Sequence, residues 1–123
     1  HQNRLMVDLL KQLVEMNLMP ILRMAWGKLM TGTWDQYQAI YKNKVEPTVK
    51  TIDGLQVREL LRSTEDPDEG IQVTVWATEE DMNNYTGSEL HRSLIKETEH
   101  LHKGEYWVKF FDFDSSRQTE YKP

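Results

Sequence analysis

Three places in the chain put chemically useful side chains where a plain hydrophobic core would not have them. From Ile71 to Trp76 the residues alternate, so Ile71, Val73 and Val75 fall on one side of a strand while Gln72, Thr74 and Trp76 put an amide, a hydroxyl and an indole on the other. The second place is His91. On a helical wheel at about 100° per residue, Leu90, Leu101, Leu94, Thr98, His91, His102 and Ile95 fall in that order over about 140° of arc, so His91 sits inside an apolar face. A histidine there serves as an axial ligand, as a general base near neutral pH, or as a hydrogen-bonded core residue. The third is Arg23, on the same side of a strand as Ile21, Ala25 and Gly27. If that side faces helices, Arg23 is a buried cation that needs an anionic partner, Glu59 or a substrate carboxylate; if it faces a barrel interior, it joins a dimer-interface ion pair. No His, Asp or Glu spacing suits a metal, and there is no glycine-rich phosphate loop and no nucleophile motif.

The elements that must carry these residues follow from the pattern. Ile21 to Leu29 alternates as a first strand, with Leu22, Met24 and Trp26 opposite the Arg23 side. Thr31-Gly32-Thr33 turns the chain, and Thr33 with Gln36 forms a capping box for a helix whose Trp34, Tyr37, Tyr41 and Val45 share a face. Pro47 must kink or restart that helix, since an interior proline costs about 3 kcal/mol, and Asp53-Gly54 ends it. Leu55, Val57, Glu59 and Leu61 then alternate with Gln56, Arg58, Leu60 and Arg62, and the turn from Glu65 to Gly70 folds this strand back on the Ile71–Trp76 strand as a hairpin. Thr78 caps a short helix with Glu79, Glu80 and Asp81 in its first turn, Gly87 breaks it, and Ser88 caps another. Glu105 to Phe113 is the last strand, aromatic on both sides, with Trp107, Phe111 and Phe113 on one and Tyr106 and Phe110 on the other.

Strand, helix, strand, strand, helix, strand is the α+β, ferredoxin-like split βαβ arrangement (β-α-β-β-α-β), with a four-stranded antiparallel sheet and both helical segments on one sheet face. The other face needs a cover, and a second copy placed sheet to sheet about a two-fold axis supplies it, so a homodimer is expected. Ahead of this domain, taken as residues 19–113, His1 to Leu18 forms an amphipathic helical extension; residues 114–123 are a polar, loose tail. If ordered, the leading helix must dock its apolar face of Leu5, Met6, Leu9, Leu10, Leu13 and Val14 on something.

Composition bounds the partners. A net charge of −5 with scattered Lys and Arg argues against nucleic acid or an anionic membrane. No apolar run reaches the length of a membrane span, no signal peptide is visible, and the absence of cysteine fits a reducing cytoplasm.

From Pro20 to Phe113 the chain resembles the antibiotic biosynthesis monooxygenase-like domains of the dimeric α/β barrel group. The resemblance is carried by Ala25-Trp26-Gly27-Lys28-Leu29-Met30-Thr31-Gly32, by Ile52-Asp53-Gly54-Leu55, by Glu59-Leu60-Leu61-Arg62-Ser63 followed by Asp66-Pro67, and above all by Val73-Thr74-Val75-Trp76 followed by Thr78-Glu79-Glu80. It implies a small cofactor-independent monooxygenase acting on an aromatic, quinol or polyketide-like substrate. In similar proteins the strand tryptophan lies in the pocket with an Asn four residues before it; here the matching pair is Trp76 and Gln72. If the pocket lies between the sheet and the last helix, Trp76 is its stacking wall, Gln72 holds a developing oxyanion, His91 accepts a proton, and Tyr85 and Arg23 join Trp76 in binding the substrate.

A second branch of the group degrades haem with an Asn, Trp and His set. The matching positions here are Ala25, Tyr85 and Ile95, so none of those side chains is kept, although His91 lies one helical turn before Ile95. Haem binding through His91 is therefore one alternative. A dimeric binding module without catalysis, its aromatic cluster serving only as core, is the other.

Overall fold

Four alternating stretches pair into a single antiparallel sheet in the computed structural model, which describes residues 2–17, 19–117 and 119. After a leading helix α1 (Gln2–Asn17) come β1 (Ile21–Leu29), α2 (Trp34–Ile40), β2 (Leu55–Arg62), β3 (Glu69–Trp76), α3 (Glu79–Tyr85), α4 (Glu89–Thr98) and β4 (His102–Asp112). The spatial order is β2-β3-β1-β4, all neighbours antiparallel, which is the split βαβ topology expected. The chain is thus an α+β domain with a four-stranded sheet and an N-terminal helix.

Register decides what each face carries. Across β2, β3 and β1, the side toward the helices reads in rows: Leu55, Trp76, Ile21; then Arg58, Thr74, Arg23; then Leu60, Gln72, Ala25; then Arg62, Gly70, Gly27. Trp34 and Tyr37 of α2 pack with Leu29, Leu101 and Leu60; Tyr41 and Val45 pack with Leu94 of α4; Met82 and Tyr85 of α3 pack with Trp76, Ile21 and Leu55. All the helical segments after β1 therefore cover one face. The opposite face carries Leu22, Met24, Trp26, Val57, Leu61, Trp107 and Phe111, with Trp26 stacked on Trp107 at 5.9 Å, and it leaves Val57, Leu61 and Phe111 exposed.

Local chemistry fixes the connections, and in several places it differs from what the pattern predicts. Thr33 makes no side-chain cap; its hydroxyl donates to the Met30 carbonyl instead, so the expected capping box with Gln36 is absent. At Pro47 the helix restarts as expected: α2 loosens into a π turn (Tyr41–Val45) and tightens into a 3₁₀ segment (Glu46–Thr51), with proline at the start of the latter where its missing N–H costs nothing. An irregularity between Leu55 and Val57 shifts the β2 register, which moves Leu55 from the expected company of Val57 to the helix-facing core beside Trp76. Gly54 ends the helical stretch at φ +78°, and a Cβ there would lie 2.2 Å from the Asp81 carboxylate, so only glycine fits.

Helix α4 also ends sooner than the wheel assumed. A 3₁₀ turn (Glu99–Leu101) follows it, and β4 begins at His102, three residues ahead of the predicted start, so His102 belongs to the sheet rather than to the helix. In α1, Leu5, Met6, Leu9 and Leu10 remain 53–71% exposed, so this part of the expected apolar face docks on nothing within the chain. Of the expected loose tail, a 3₁₀ turn at Ser115–Arg117 is described; residues 118 and 120–123 lie outside the described residues.

Candidate functional site

The helix-facing side of the sheet is not filled. Between it and the helices lies a cavity of about 410 Å³, within the usual range for small-molecule sites. Its floor is the second, third and fourth rows of the sheet: Arg58 and Arg23, then Leu60, Gln72 and Ala25, then Gly70 and Gly27. The glycine row is flat because Trp34 lies on it; a Cβ on Gly70 would come within 2.6 Å of that indole. Tyr37, Tyr41 and Val45 form one wall, and Tyr85, His91, Leu94 and Ile95 the other. Tyr106, on edge strand β4, stands at the mouth and is 64% exposed.

Hydrogen bonds order the floor. Arg58 Nη2 donates to Gln72 Oε1 at 3.1 Å, and Gln72 Nε2 donates to the Tyr37 hydroxyl. With its oxygen accepting from Gln72, Tyr37 keeps its own O–H to offer elsewhere, and the Gln72 amide keeps a second N–H. Burial raises the Tyr37 pKa above its ordinary value, an effect that the Gln72 bond and the Arg58 charge offset only in part. Burial likewise raises Tyr41, so both phenols are protonated donors at neutral pH. Three more donor atoms are buried without a partner: Arg58 Nε, Arg58 Nη1 and the Tyr85 hydroxyl. The cavity is therefore rich in donors.

His91 is held by a reciprocal cap at the start of α4. Ser88 accepts from the His91 backbone N–H at 3.2 Å, while His91 Nδ1 accepts from the Gly87 N–H at 2.9 Å. A ring whose Nδ1 accepts carries its neutral-state proton on Nε2, so the group it offers is a donor. Its pKa is lowered, first by burial and then by the Arg23 and Arg58 charges, which favours that neutral form. His102 also lines the cavity, edge-on to Tyr37 at 5.6 Å between ring centroids, with its pKa lowered by burial. Among the described residues its ring nitrogens have no hydrogen-bond partner.

Of the residues singled out in the sequence, Gln72, Tyr85, His91 and Arg23 meet around this one space. Trp76 does not line it. That indole is 2% exposed, donates its N–H to the Thr74 hydroxyl at 2.9 Å, and stands behind Tyr85 at 5.2 Å between ring centroids. A tryptophan so enclosed is a core anchor that positions Tyr85, and the wall expected of Trp76 is the tyrosine. Glu59, weighed as a partner for Arg23, lies on the opposite face of the sheet. The sequence reading passed over Tyr37, Arg58 and His102; the first two were already on the correct faces in the periodicity, but neither an α-helical tyrosine nor a strand arginine is distinctive by itself. Among the described residues no group of three or more His, Cys, Asp and Glu side chains could hold a metal ion, and no helix is long and apolar enough to cross a membrane.

The sequence model of antibiotic biosynthesis monooxygenases matches residues 30–97, more than half of the chain. The chain belongs to that family. No curated protein matches it. Solved structures of this monooxygenase fold superimpose well at low identity. A proposed antibiotic biosynthesis monooxygenase from Caulobacter crescentus is 12% identical with a TM-score of 0.72, over 85% of this chain and 98% of that one. One from Bordetella bronchiseptica is 18% identical with a TM-score of 0.70, over 78% and 98%. A mutant of SnoaB, a cofactor-independent oxygenase from Streptomyces nogalater, is 11% identical with a TM-score of 0.66, over 81% and 95%. At such identities these likenesses speak for the fold.

Proposed function

We propose that this family member is a cofactor-independent monooxygenase whose substrate is a planar, electron-rich quinol or anthrone-like molecule. The observation that carries the reading is the convergence of donors on a cavity otherwise walled by aromatic and aliphatic side chains. Such a lining stabilises a substrate anion, and an anion of this kind is itself the electron source for dioxygen, so no bound redox group is required.

For a reacting CH₂ flanked by aromatic rings, one proton leaves to a base and the carbanion forms a carbon–oxygen bond with dioxygen. The second hydrogen leaves carbon as a proton while the O–O bond breaks. One oxygen stays as the carbonyl and the other departs as water: R₂CH₂ + O₂ → R₂C=O + H₂O. In this reading the Tyr37 hydroxyl and the free N–H of Gln72 hold the substrate oxyanion, with Gln72 also aiming Tyr37. His91 serves through Nε2–H as a donor to the developing peroxide oxygen, in place of the acceptor role expected from sequence, because Gly87 occupies its other nitrogen. His102, with both ring nitrogens unengaged among the described residues, takes the first proton. Tyr85 is the stacking wall and Arg23 adds positive potential.

A second copy covering the exposed sheet face completes the molecule, since Val57, Leu61 and Phe111 lie there at 41–49% exposure. The absence of cysteine fits action in a reducing cytoplasm. Oxygen-electrode traces with a panel of anthrones and hydroquinones test the reading. Uptake that depends on the protein and falls in Gln72→Leu supports it, and a panel without any uptake leaves a binding module.

A further inference from the structure

The second row of the sheet floor holds two positive charges without a negative one. Arg58, Thr74 and Arg23 are register partners on three adjacent strands, so the arginine backbones lie two strand spacings apart, about 10 Å. Both arginines line the cavity, and the buried, short Thr74 separates them. Arg58 spends one nitrogen on Gln72 and leaves Nε and Nη1 buried with no partner. No carboxylate among the described residues forms a salt bridge with either guanidinium. The one carboxylate on the cavity wall, Glu105, is exposed. Two guanidinium nitrogens of Arg58 are shielded from water without an acceptor, so this row is unfavourable as it stands and is made favourable by an anion. Its field already reaches His91, where both arginines add to the depression of the ring's pKa.

The floor is asymmetric in a way that fixes how an anion would sit. Beyond the arginine row come Ala25, Gln72 and Leu60 and then Gly27 and the Trp34 indole that lies over Gly70, an uncharged surface suited to a ring system. With Nη2 engaged by Gln72, the free Nε and Nη1 of Arg58 lie on different edges of the guanidinium, so each offers a single charge-assisted donor to a carboxylate oxygen.

We infer that the substrate of this cavity is an aromatic carboxylic acid, with its carboxylate held by Arg58 and Arg23 and its rings laid over Ala25 and Gly27 toward the Trp34 indole. The inference rests on the aromatic-substrate reading above and names the class within it. A matched pair of probes separates the two: anthracene-2-carboxylate, and its uncharged near-isostere anthracene-2-carboxamide, each titrated by calorimetry into the full chain.

The acid is expected to bind at least tenfold more tightly than the amide. Arg58→Met should erase that preference while leaving amide affinity nearly unchanged, and Arg58→Lys, which keeps the charge but loses the planar guanidinium donors, should keep only part of it. Arg23→Met provides an independent second variant should Arg58→Met fail to fold. Equal affinity of the wild-type protein for the two probes overturns the inference and leaves the aromatic pocket standing. Failure of both probes to bind overturns the pocket reading along with it.

Discussion

Replacing Gln72 with leucine separates the floor's hydrogen-bond chain from its shape. Leucine fills a similar volume, but Arg58 Nη2 loses its acceptor and Tyr37 loses the donor that fixes its hydroxyl. A hydrogen bond to a charged group contributes roughly 1.5–3 kcal/mol and a neutral one roughly 0.5–1.5 kcal/mol. The half-buried pair therefore contributes about 2–4 kcal/mol to folding, and in a chain of 123 residues about 4 °C per kcal/mol is expected, hence a melting point lower by about 8–16 °C. Turnover should fall further, by about 10²–10³, because the donors aimed at the oxyanion are worth roughly 2.7–4 kcal/mol in the transition state. Binding of a neutral aromatic should change little. Differential scanning calorimetry and initial oxygen-uptake rates read the two effects. In the Gln72→Leu background a further Tyr37→Phe change should cost much less than it does alone, since residues sharing one network are not additive. Fully additive losses, or a melt within about 2 °C of wild type, would refute a coupled Arg58–Gln72–Tyr37 chain.

Trp76→Ala should cost about 3–5 kcal/mol of stability, the usual range for emptying a buried aromatic site, and calorimetry checks it; unchanged stability would mean that Trp76 is not the anchor of Tyr85. Stability should fall as pH drops below the ordinary histidine value of 6.5, because the lowered pKa values of His91 and His102 let the unfolded chain take up protons before the folded one does. Melting points of His91→Gln and His102→Gln between pH 7 and 5 should show a shallower decline than wild type. Removing residues 1–18 should preserve a cooperative melt, since Leu5, Met6, Leu9 and Leu10 dock on nothing within the chain; sedimentation should find a homodimer with or without the helix, and a stable monomer at micromolar concentration would remove the second copy from the account.

Much of this architecture is readable in the chain itself, because period-two alternation fixes sheet faces before any coordinate is known. Alternation alone puts Gln72 and Thr74 on one side of their strand and Arg23 on one side of its own, with the face of Arg23 open between helices and barrel interior; pairing brings all three to the helix-facing side. The failures have specific causes. A single irregularity after Leu55 moved that residue between faces, and alternation cannot register a bulge. Residues 99–102 fit a helical wheel, yet tertiary pairing with Leu29 drew His102 into the sheet. Thr33 had two possible partners, and the Met30 carbonyl won over the cap. Trp76 and Tyr85 were both recognised, but which of two stacked rings faces a cavity depends on packing depth, which sequence spacing does not encode. Arg58 escaped notice because its importance lies in having no counter-ion, a property of three-dimensional surroundings.

The central claim is oxygenation by the side chains of this cavity without a bound redox group, and the most direct measurement is turnover of an anthrone carboxylate under ¹⁸O₂ by protein stripped of haem and metal with chelator. The account predicts one dioxygen consumed per substrate, one ¹⁸O in the new carbonyl, and a rate that collapses in Gln72→Leu. Label absent from the carbonyl, or a rate that returns only when haem or iron is added back, would contradict it.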